Sequence, residues 1–139
     1  MKNNEELAQF YNKVYVKGEK KHFTIKRESA SLSEIKEVLK QVSWKGKKVL
    51  DVGCGTGLFA FNAAKKGAIV LGIDFSTEAI QIAQSQYVHK NLKFEATDVN
   101  KIKDKFDVIV SNGTLEHMDN PLKTLRLFKK HLTKNGCII

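Results

Sequence analysis

Short apolar segments of strand length alternate with longer amphipathic segments along most of the chain. The strand-length segments lie at residues 49–52, 69–73, 92–96 and 106–110. Between them, apolar positions recur every three or four residues, a spacing typical of helices that bury one face. Strands that alternate with helices form parallel sheets covered on both faces. The pattern therefore predicts an α/β fold with a mostly parallel sheet between two layers of helices.

Local signals place the boundaries of three of these helices. Ser31-Leu32-Ser33-Glu34 has the form of a capping box that opens the first. Residues 57–66 are expected to form the second, which stops at Gly67. Ser76 is expected to cap the third, because its side chain can accept a hydrogen bond from a free amide of the first turn.

A fourth helix is expected to open at Asn120-Pro121, a cap residue followed by proline at the first helical position. Apolar residues continue at helical spacing as far as Leu132, and basic residues suited to a helix end continue as far as Lys134. The sequence therefore predicts that the helix extends this far and that the fifth strand starts at Gly136.

The chain has enough residues for one domain. We expect residues 1–45 to form an amino-terminal helical cap and residues 46–139 to form the core. Right-handed crossovers place the loops that follow the strands at the carboxyl edge of the sheet, where such sheets bind ligands. In the cap, Phe10 to Tyr15 is an aromatic segment. It is expected either to cover the ligand site as a lid or to pack as an ordinary amphipathic helix.

The most informative motif runs from Val49 to Gly57 and comprises the first strand and the turn that follows it. Its glycines, Gly53, Gly55 and Gly57, stand at alternate positions. Glycine permits positive φ and leaves backbone amides open to a ligand. A dinucleotide-binding turn carries its last glycine at the sixth position of the motif, where this chain has Leu58. The spacing therefore favours a nucleotide-like ligand and disfavours a nicotinamide-dependent oxidoreductase.

This turn resembles motif I of the class I S-adenosylmethionine-dependent methyltransferases, and later segments resemble the family's next motifs in the same order. They are Asp74 after the second strand, Thr97-Asp98-Val99 after the third and Ser111 to His117 after the fourth. The resemblance runs from Lys47 to the last residue. It implies a Rossmann-like three-layer αβα sandwich with strand order 3-2-1-4-5, truncated in or after the fifth strand.

The resemblance also implies an activity. The cofactor is S-adenosyl-L-methionine, the product is S-adenosyl-L-homocysteine, and the methyl group passes to a small-molecule acceptor. Leu115-Glu116-His117-Met118 is similar to the branch that includes quinone-biosynthesis O-methyltransferases. The alternatives are an RNA or protein methyltransferase and a protein that binds the cofactor without turnover. Because the strands and insertions that usually form the acceptor site are missing, we expect this chain to turn over weakly or not at all.

The family's motifs assign cofactor contacts to residues at the carboxyl edge. Asp51 is expected to hold the cofactor's amino group, or else to satisfy amides of the glycine turn. Asp74 is expected to accept from the ribose hydroxyls, or else to cap the next helix. Phe75 either flanks the adenine or packs in the core, and Asp98 either accepts from the adenine amine or is a plain turn residue. The complete set is Asp51, Gly53, Cys54, Gly55, Gly57, Asp74, Phe75, Ser76, Asp98, Val99, Ser111 and Asn112.

One residue is a candidate for acid–base chemistry. His117 follows the fourth strand, beside the expected position of the methyl group, and histidine titrates near working pH. It acts either as a general base or as a loop residue that shapes the pocket, and Glu116 either orients it or is solvated. Cys54 is expected to be a small loop residue and not a nucleophile. Some relatives carry a further acid at the position of Gly113, and its absence here argues against a metal site.

Charge raises a second possibility for partners. The formal net charge is +9, and most basic residues are lysines that form small groups at Lys45 to Lys48 and Lys101 to Lys105. We interpret these lysines as a solvated surface, since no aromatic residues are interleaved with them to stack on bases. An anionic acceptor or RNA is the alternative.

The remaining composition bears on location and assembly. The polar amino terminus lacks the form of a signal peptide, and no apolar run reaches the length of a membrane span. Two cysteines do not make a disulfide framework. We therefore expect a cytoplasmic protein with no membrane partner. An uncovered strand at the sheet edge would leave room for a homo-oligomer.

Overall fold

The computed structural model describes residues 4–16 and 32–139. The described residues form five helices and five strands, with two of the helices ahead of the first strand. The helices are α1 (Asn4–Val16), α2 (32–38), α3 (Leu58–Lys65), α4 (Thr77–Gln86) and α5 (Pro121–Lys130). The strands are β1 (Lys48–Val52), β2 (Ile69–Asp74), β3 (Leu92–Ala96), β4 (Phe106–Val110) and β5 (Leu132–Ile138). Short 3₁₀ turns occupy Val99–Lys101 and Leu115–His117.

The strands form one parallel sheet in the order β3-β2-β1-β4-β5. This confirms the predicted strand order and the predicted fold class. β1 lies at the centre, where Asp51 pairs with Gly72 on one side and with Val110 on the other. The carboxyl ends of the strands, and the loops that follow them, therefore meet at one edge.

The sheet is buried on both faces. Along β1, Val49 packs into a cluster with residues of α2, α3 and α4, whereas Leu50 packs into a second cluster with Phe128 of α5. Side chains of a strand point alternately to the two faces. This alternation between two clusters confirms the predicted three-layer arrangement.

The predicted helix signals are confirmed where the structure describes them. Ser76 accepts from the amide of Ala79 at 3.1 Å, and Asn120 accepts from the amide of Lys123 at 2.9 Å. Gly67 follows α3 with a φ of 91°. Ser31, the first residue of the capping box, lies outside the described residues.

The prediction for the fifth strand was wrong. α5 ends at Lys130 and β5 already begins at Leu132, so Leu132 and Lys134 belong to the strand. Leu132 pairs with Phe106, the next pairing is Val108 with Cys137, and the residues between them bulge out of the ladder. The cause is long-range: the carbonyl of His131 accepts from the amide of Phe106 at 2.8 Å and starts the strand there.

Asp107 and Gly136 fix this bulge. The Asp107 carboxylate accepts from the backbone amide of Lys48 at 2.9 Å and from the hydroxyl of Thr133 at 3.0 Å. Hydrogen bonding by Lys48 lowers the pKa of the Asp107 carboxyl. A Cβ on Gly136 would lie 3.0 Å from the carbonyl oxygen of Phe106, so glycine lets the bulge fold close against β4. The carboxylate thus joins β1, β4 and β5.

Candidate functional site

The glycine turn adopts the backbone that its spacing predicts. Gly53, Gly55 and Gly57 have φ of 76°, 52° and 87°. The turn is held to the second strand because the amides of Gly53 and Cys54 both donate to the carbonyl of Ile73, at 2.8 and 3.0 Å. Left-handed backbone at alternate positions forms a concave turn of the kind that binds anionic and nucleotide groups.

Gly57 has a packing role as well as a conformational one. A Cβ on Gly57 would lie 2.5 Å from Cζ of Phe94, and one on Gly72 would lie 2.8 Å from Cδ1 of the same ring. The Phe94 ring therefore fills the space that both glycines leave open. Gly57 therefore lets the start of α3 lie close to the sheet. The spacing of the glycines in the motif does not by itself reveal this packing role.

We expect Gly57→Ala to lower the free energy of unfolding by about 2–4 kcal/mol, because alanine is strained in the left-handed region and would also overpack Phe94. Gly46→Ala is the matched control, since Gly46 has a φ of 74° and an added Cβ would meet nothing within 4 Å. The control should lose only the backbone part, about 1–2 kcal/mol. Urea denaturation measures both, and equal losses would contradict the packing role.

Asp74 links the end of β2 to the glycine turn. One carboxylate oxygen accepts from the amide of Gly55 at 3.0 Å, and the other accepts from the amide of Ser76 at 2.9 Å. Burial raises the pKa of the Asp74 carboxyl, and these hydrogen bonds partly oppose the rise. Each oxygen has a second lone pair for a ligand hydroxyl. The bond to Ser76 also gives Asp74 part of the capping role that was its alternative.

Ser76 and Phe75 follow Asp74 in the turn before α4. The Ser76 side chain is fully buried; besides capping α4, it donates to Oδ1 of Asn12 at 2.7 Å. Its hydroxyl is therefore engaged by two protein groups. Phe75 is half-buried, and its expected place beside the adenine stays a prediction.

Asp51 is the least satisfied polar group of the site. Its side chain is 3% exposed, and Oδ2 has no hydrogen-bond partner among the described residues. Burial, and then repulsion from Asp74, raises the pKa of the carboxyl from 3.8 to about 7. The alternative role of Asp51, satisfying amides of the glycine turn, is therefore not fulfilled by this oxygen.

A second buried polar group without a partner among the described residues lies just after β4, the neighbouring strand in the sheet. Ser111 follows Val110, the residue that pairs with Asp51, and its buried hydroxyl also has no partner within the described chain. A carboxyl group and a hydroxyl group at the carboxyl ends of neighbouring strands suit a polar ligand group that donates hydrogen bonds. Asn112, the next residue, is exposed.

Cys54 lies within the glycine turn but is not poised for nucleophilic chemistry. Burial, with additional repulsion from Asp51 and Asp74, raises the pKa of its thiol far above the ordinary range. A thiol that stays protonated is a poor nucleophile. This agrees with the prediction that Cys54 is a small loop residue.

The residues assigned to adenine lie after β3. Asp98 Oδ1 accepts from the amide and from the side-chain nitrogen of Asn100, at 2.8 and 2.7 Å, and so caps a short 3₁₀ turn. Val99 is 4% exposed and packs in the core. The local cap matches the alternative role of Asp98, and its contact with adenine stays a prediction.

Helix α1 spans the two sides of the site. Asn12 bonds to Ser76 at the turn after β2, and the ring of Tyr11 lies edge-on to His117 in the loop after β4, with centroids 6.5 Å apart. His117 is exposed. Helix α1 therefore contacts both turns, and its role as a lid stays a prediction. Sequence analysis missed the role of Asn12, because its partner is 64 residues away and no local pattern connects them.

Thr114 is a further residue that sequence analysis missed. A Cβ on Gly53 would overlap the Thr114 hydroxyl, so the loop after β4 lies directly against the glycine turn. The Thr114 hydroxyl lies 3.5 Å from the Gly53 carbonyl oxygen. The first glycine of the turn is therefore required by a contact across the site.

The described residues contain no group of three or more histidine, cysteine, aspartate or glutamate side chains that could hold a metal ion. None of the described helices is long and apolar enough to cross a membrane.

A parallel sheet of this order, with a glycine turn after its central strand and a carboxylate at the end of the next, defines a nucleotide-binding α/β domain. The chain belongs to the methyltransferase domain family, whose model matches residues 43–139. This confirms the family that the motifs indicated.

Known proteins and structures agree with that membership. The chain is 37% identical over 103 residues to a ubiquinone biosynthesis O-methyltransferase of Haemophilus ducreyi, covering 67% of this chain and 44% of that protein. It therefore spans less than half the length of that relative. An S-adenosylmethionine-dependent methyltransferase structure from Mesorhizobium loti matches with a TM-score of 0.67 and 25% identity, over 76% of this chain and 50% of that one.

A third likeness concerns the fold alone. The magnesium protoporphyrin IX methyltransferase of Synechocystis PCC 6803, solved with bound S-adenosylhomocysteine, matches with a TM-score of 0.78 and 16% identity. The match covers 94% of this chain and 68% of that chain. The similarity therefore includes almost the whole described architecture.

Proposed function

We propose that the protein binds S-adenosyl-L-methionine and transfers its methyl group to a small-molecule acceptor. The observation that carries the proposal is a pair of buried polar atoms, Asp51 Oδ2 and Ser111 Oγ, that have no partner among the described residues and lie beside a turn with three left-handed glycines. Family membership and the similarity to ubiquinone biosynthesis O-methyltransferases support it. An amino-acid group of a ligand supplies the donors that these two atoms lack.

We propose that residues at the carboxyl edge of the sheet hold that cofactor along its whole length. Asp51, the glycine turn, Ser111 and Asn112 would hold the amino-acid part, and Asp74 would accept from the ribose hydroxyls. Phe75, Asp98 and the backbone of Val99 would hold the adenine. When bound, the cofactor supplies a methyl group already activated by a sulfonium. The protein's own task is then mainly alignment and exclusion of water.

We propose that His117 takes a proton from an acceptor hydroxyl. It stands in the loop after β4, and the Tyr11 ring lies against it from α1. We propose that residues 46–139 form the core, that residues 1–45 form an amino-terminal helical cap on it, and that α1 covers the acceptor side of the site. A general base of this kind contributes about 100- to 10,000-fold when the acceptor loses a proton.

Binding of S-adenosyl-L-homocysteine tests the proposal without an acceptor. We expect micromolar affinity by calorimetry and stabilisation of the fold by about 2.7 kcal/mol at a ligand concentration 100 times the Kd. His117→Ala should keep that affinity, because the base does not touch the cofactor's binding groups. NAD, with the same adenosine part, is the matched ligand control. Tighter binding of NAD would contradict the proposal.

We propose, from the chemistry of its cysteines, that the protein is cytoplasmic. Cys54 and Cys137 are both free thiols. Unpaired thiols persist most easily in a reducing compartment.

A further inference from the structure

Lysines gather at the end of the sheet opposite the candidate site, where the strands begin. The connections that enter β1, β2, β3 and β4 are residues 39–47, 66–68, 87–91 and 102–105. Every one of them contains lysine, and α5 ends in two more before β5. In the sequence these lysines are scattered, because each entering connection is separated from the next by a whole helix–strand unit. The parallel topology brings them to one face.

Backbone contacts show that the lysine-bearing segments are neighbours. The carbonyl of Lys47 accepts from the amide of Ile69 at 2.8 Å, just after Lys66 and Gly67. Gly67 in turn bonds to Gly46 at 2.9 Å. On the other side of β1, the Lys105 ammonium donates to the carbonyl of Lys130. Lysines that enter three strands and end two helices therefore share one surface.

Little negative charge compensates these lysines. The acidic residue in the four entering connections is Asp104, and Asp107 of β4 adds a second carboxylate beside Lys47 and Lys48. Within the described residues, the ion pair that forms is Lys40 with Glu37. The lysine face, defined by Lys45, Lys47, Lys48, Lys66, Lys105 and Lys130, is exposed and strongly positive.

Two exposed aliphatic side chains accompany the charge. Ile69 at the start of β2 is 49% exposed, and Val88 in the connection to β3 is 87% exposed. The four entering connections contain no arginine. Base recognition and stacking draw on arginine and on exposed aromatic rings. Lysines with protruding aliphatic groups instead match the headgroups and acyl boundary of an anionic bilayer.

We propose that the lysine face binds the surface of an anionic lipid bilayer. Lysines near such a surface contribute about 1 kcal/mol each, so a cluster of this size is enough for reversible attachment. The opposite end of the sheet, with the glycine turn and Asp51, then faces the aqueous phase. This proposal does not depend on the cofactor or on turnover.

Co-sedimentation with vesicles tests it. The protein should bind vesicles of phosphatidylcholine mixed with phosphatidylglycerol and should leave pure phosphatidylcholine vesicles in solution. Salt at about 0.5 M should release it, because screening is then short-ranged. The double variant Lys47→Gln/Lys66→Gln should bind at least about tenfold more weakly. Lys13→Gln/Lys123→Gln removes equal charge from α1 and from the first turn of α5, on the side of the candidate site, and should bind like the unmodified protein.

Each other outcome overturns the proposal. Equal binding to neutral vesicles would make attachment independent of charge, and equal losses in the two double variants would show that no particular face is used. Tighter binding to polyuridylic acid than to anionic vesicles would make this a nucleic-acid surface. Unchanged thermal unfolding confirms that each variant is folded, and S-adenosyl-L-homocysteine affinity is measured separately, so failure here leaves the proposed function intact.

Discussion

Asp51→Asn is expected to make the ligand-free protein more stable at pH 8, by as much as about 4 kcal/mol. Burial and the nearby Asp74 raise the pKa of the folded-state Asp51 carboxyl from 3.8 to about 7. The stability that this raised pKa gives is fully present at a pH below 3.8, the pKa of the carboxyl in the unfolded chain, and it is lost as the pH rises to about 7. Asparagine has a similar shape and no charge, so the variant escapes that loss.

The pH dependence makes this prediction specific. The stability difference between variant and unmodified protein should grow by about 1.4 kcal/mol per pH unit between pH 5 and 7 and level off above. Urea denaturation at several pH values measures it. Asp119→Asn, which replaces an exposed carboxyl, is the matched control. A flat difference for Asp51→Asn would mean that the carboxyl has a compensating partner.

Asp74→Ala is expected to weaken S-adenosyl-L-homocysteine binding by at least about 100-fold. Hydrogen bonds to a charged group contribute about 1.5–3 kcal/mol each, and the proposed site uses this carboxylate for two ribose hydroxyls. Calorimetric titration measures the change. Equal affinity in the two proteins would overturn the ribose assignment.

Asp74 also supports the glycine turn through Gly55, so a loss of affinity could come from a displaced turn. A 2′-deoxyribose analogue of the ligand separates the two causes. If Asp74 accepts from the 2′-hydroxyl, removing that hydroxyl weakens binding to the unmodified protein much more than binding to Asp74→Ala. Equal weakening in both proteins would assign the effect to the turn.

The sequence predicts those parts of the fold that depend on local chemistry. Ser76 and Asn120 cap helices because their side chains reach amides three residues ahead. Gly53, Gly55 and Gly57 have positive φ, which glycine adopts readily because it has no Cβ. Strand order followed from the family resemblance and the crossover rule.

The start of β5 escaped prediction because two patterns overlap there. The apolar spacing of α5 continues through Leu132, so periodicity alone extends the helix. The actual boundary depends on His131, whose carbonyl accepts from Phe106 and whose ring nitrogen contacts the Asp104 carbonyl at 3.1 Å. Partners about 25 residues away along the chain decide the boundary, and no short window contains them.

The site shows the same division between local and distant causes. Asp51 and Asp74 are identifiable from their positions near the carboxyl ends of strands. Three further properties depend on how neighbouring strands align. They are the repulsion between Asp51 and Asp74, the lack of a partner for the Ser111 hydroxyl among the described residues, and the contact of Thr114 with Gly53. Sequence analysis therefore named candidate residues but did not show which of them lack partners.

The attachment of α1 has a consequence for the order in which the molecule opens. The contacts of α1 with the rest of the molecule include the Asn12–Ser76 hydrogen bond and the Tyr11–His117 ring contact. No described side chain of α1 belongs to the two core clusters. Ser76 keeps its bond to Ala79 whether or not Asn12 is present. Detachment of α1 therefore leaves α4 capped and the sheet intact, so amides of α1 should exchange with solvent by a local fluctuation while those of β1 require global unfolding.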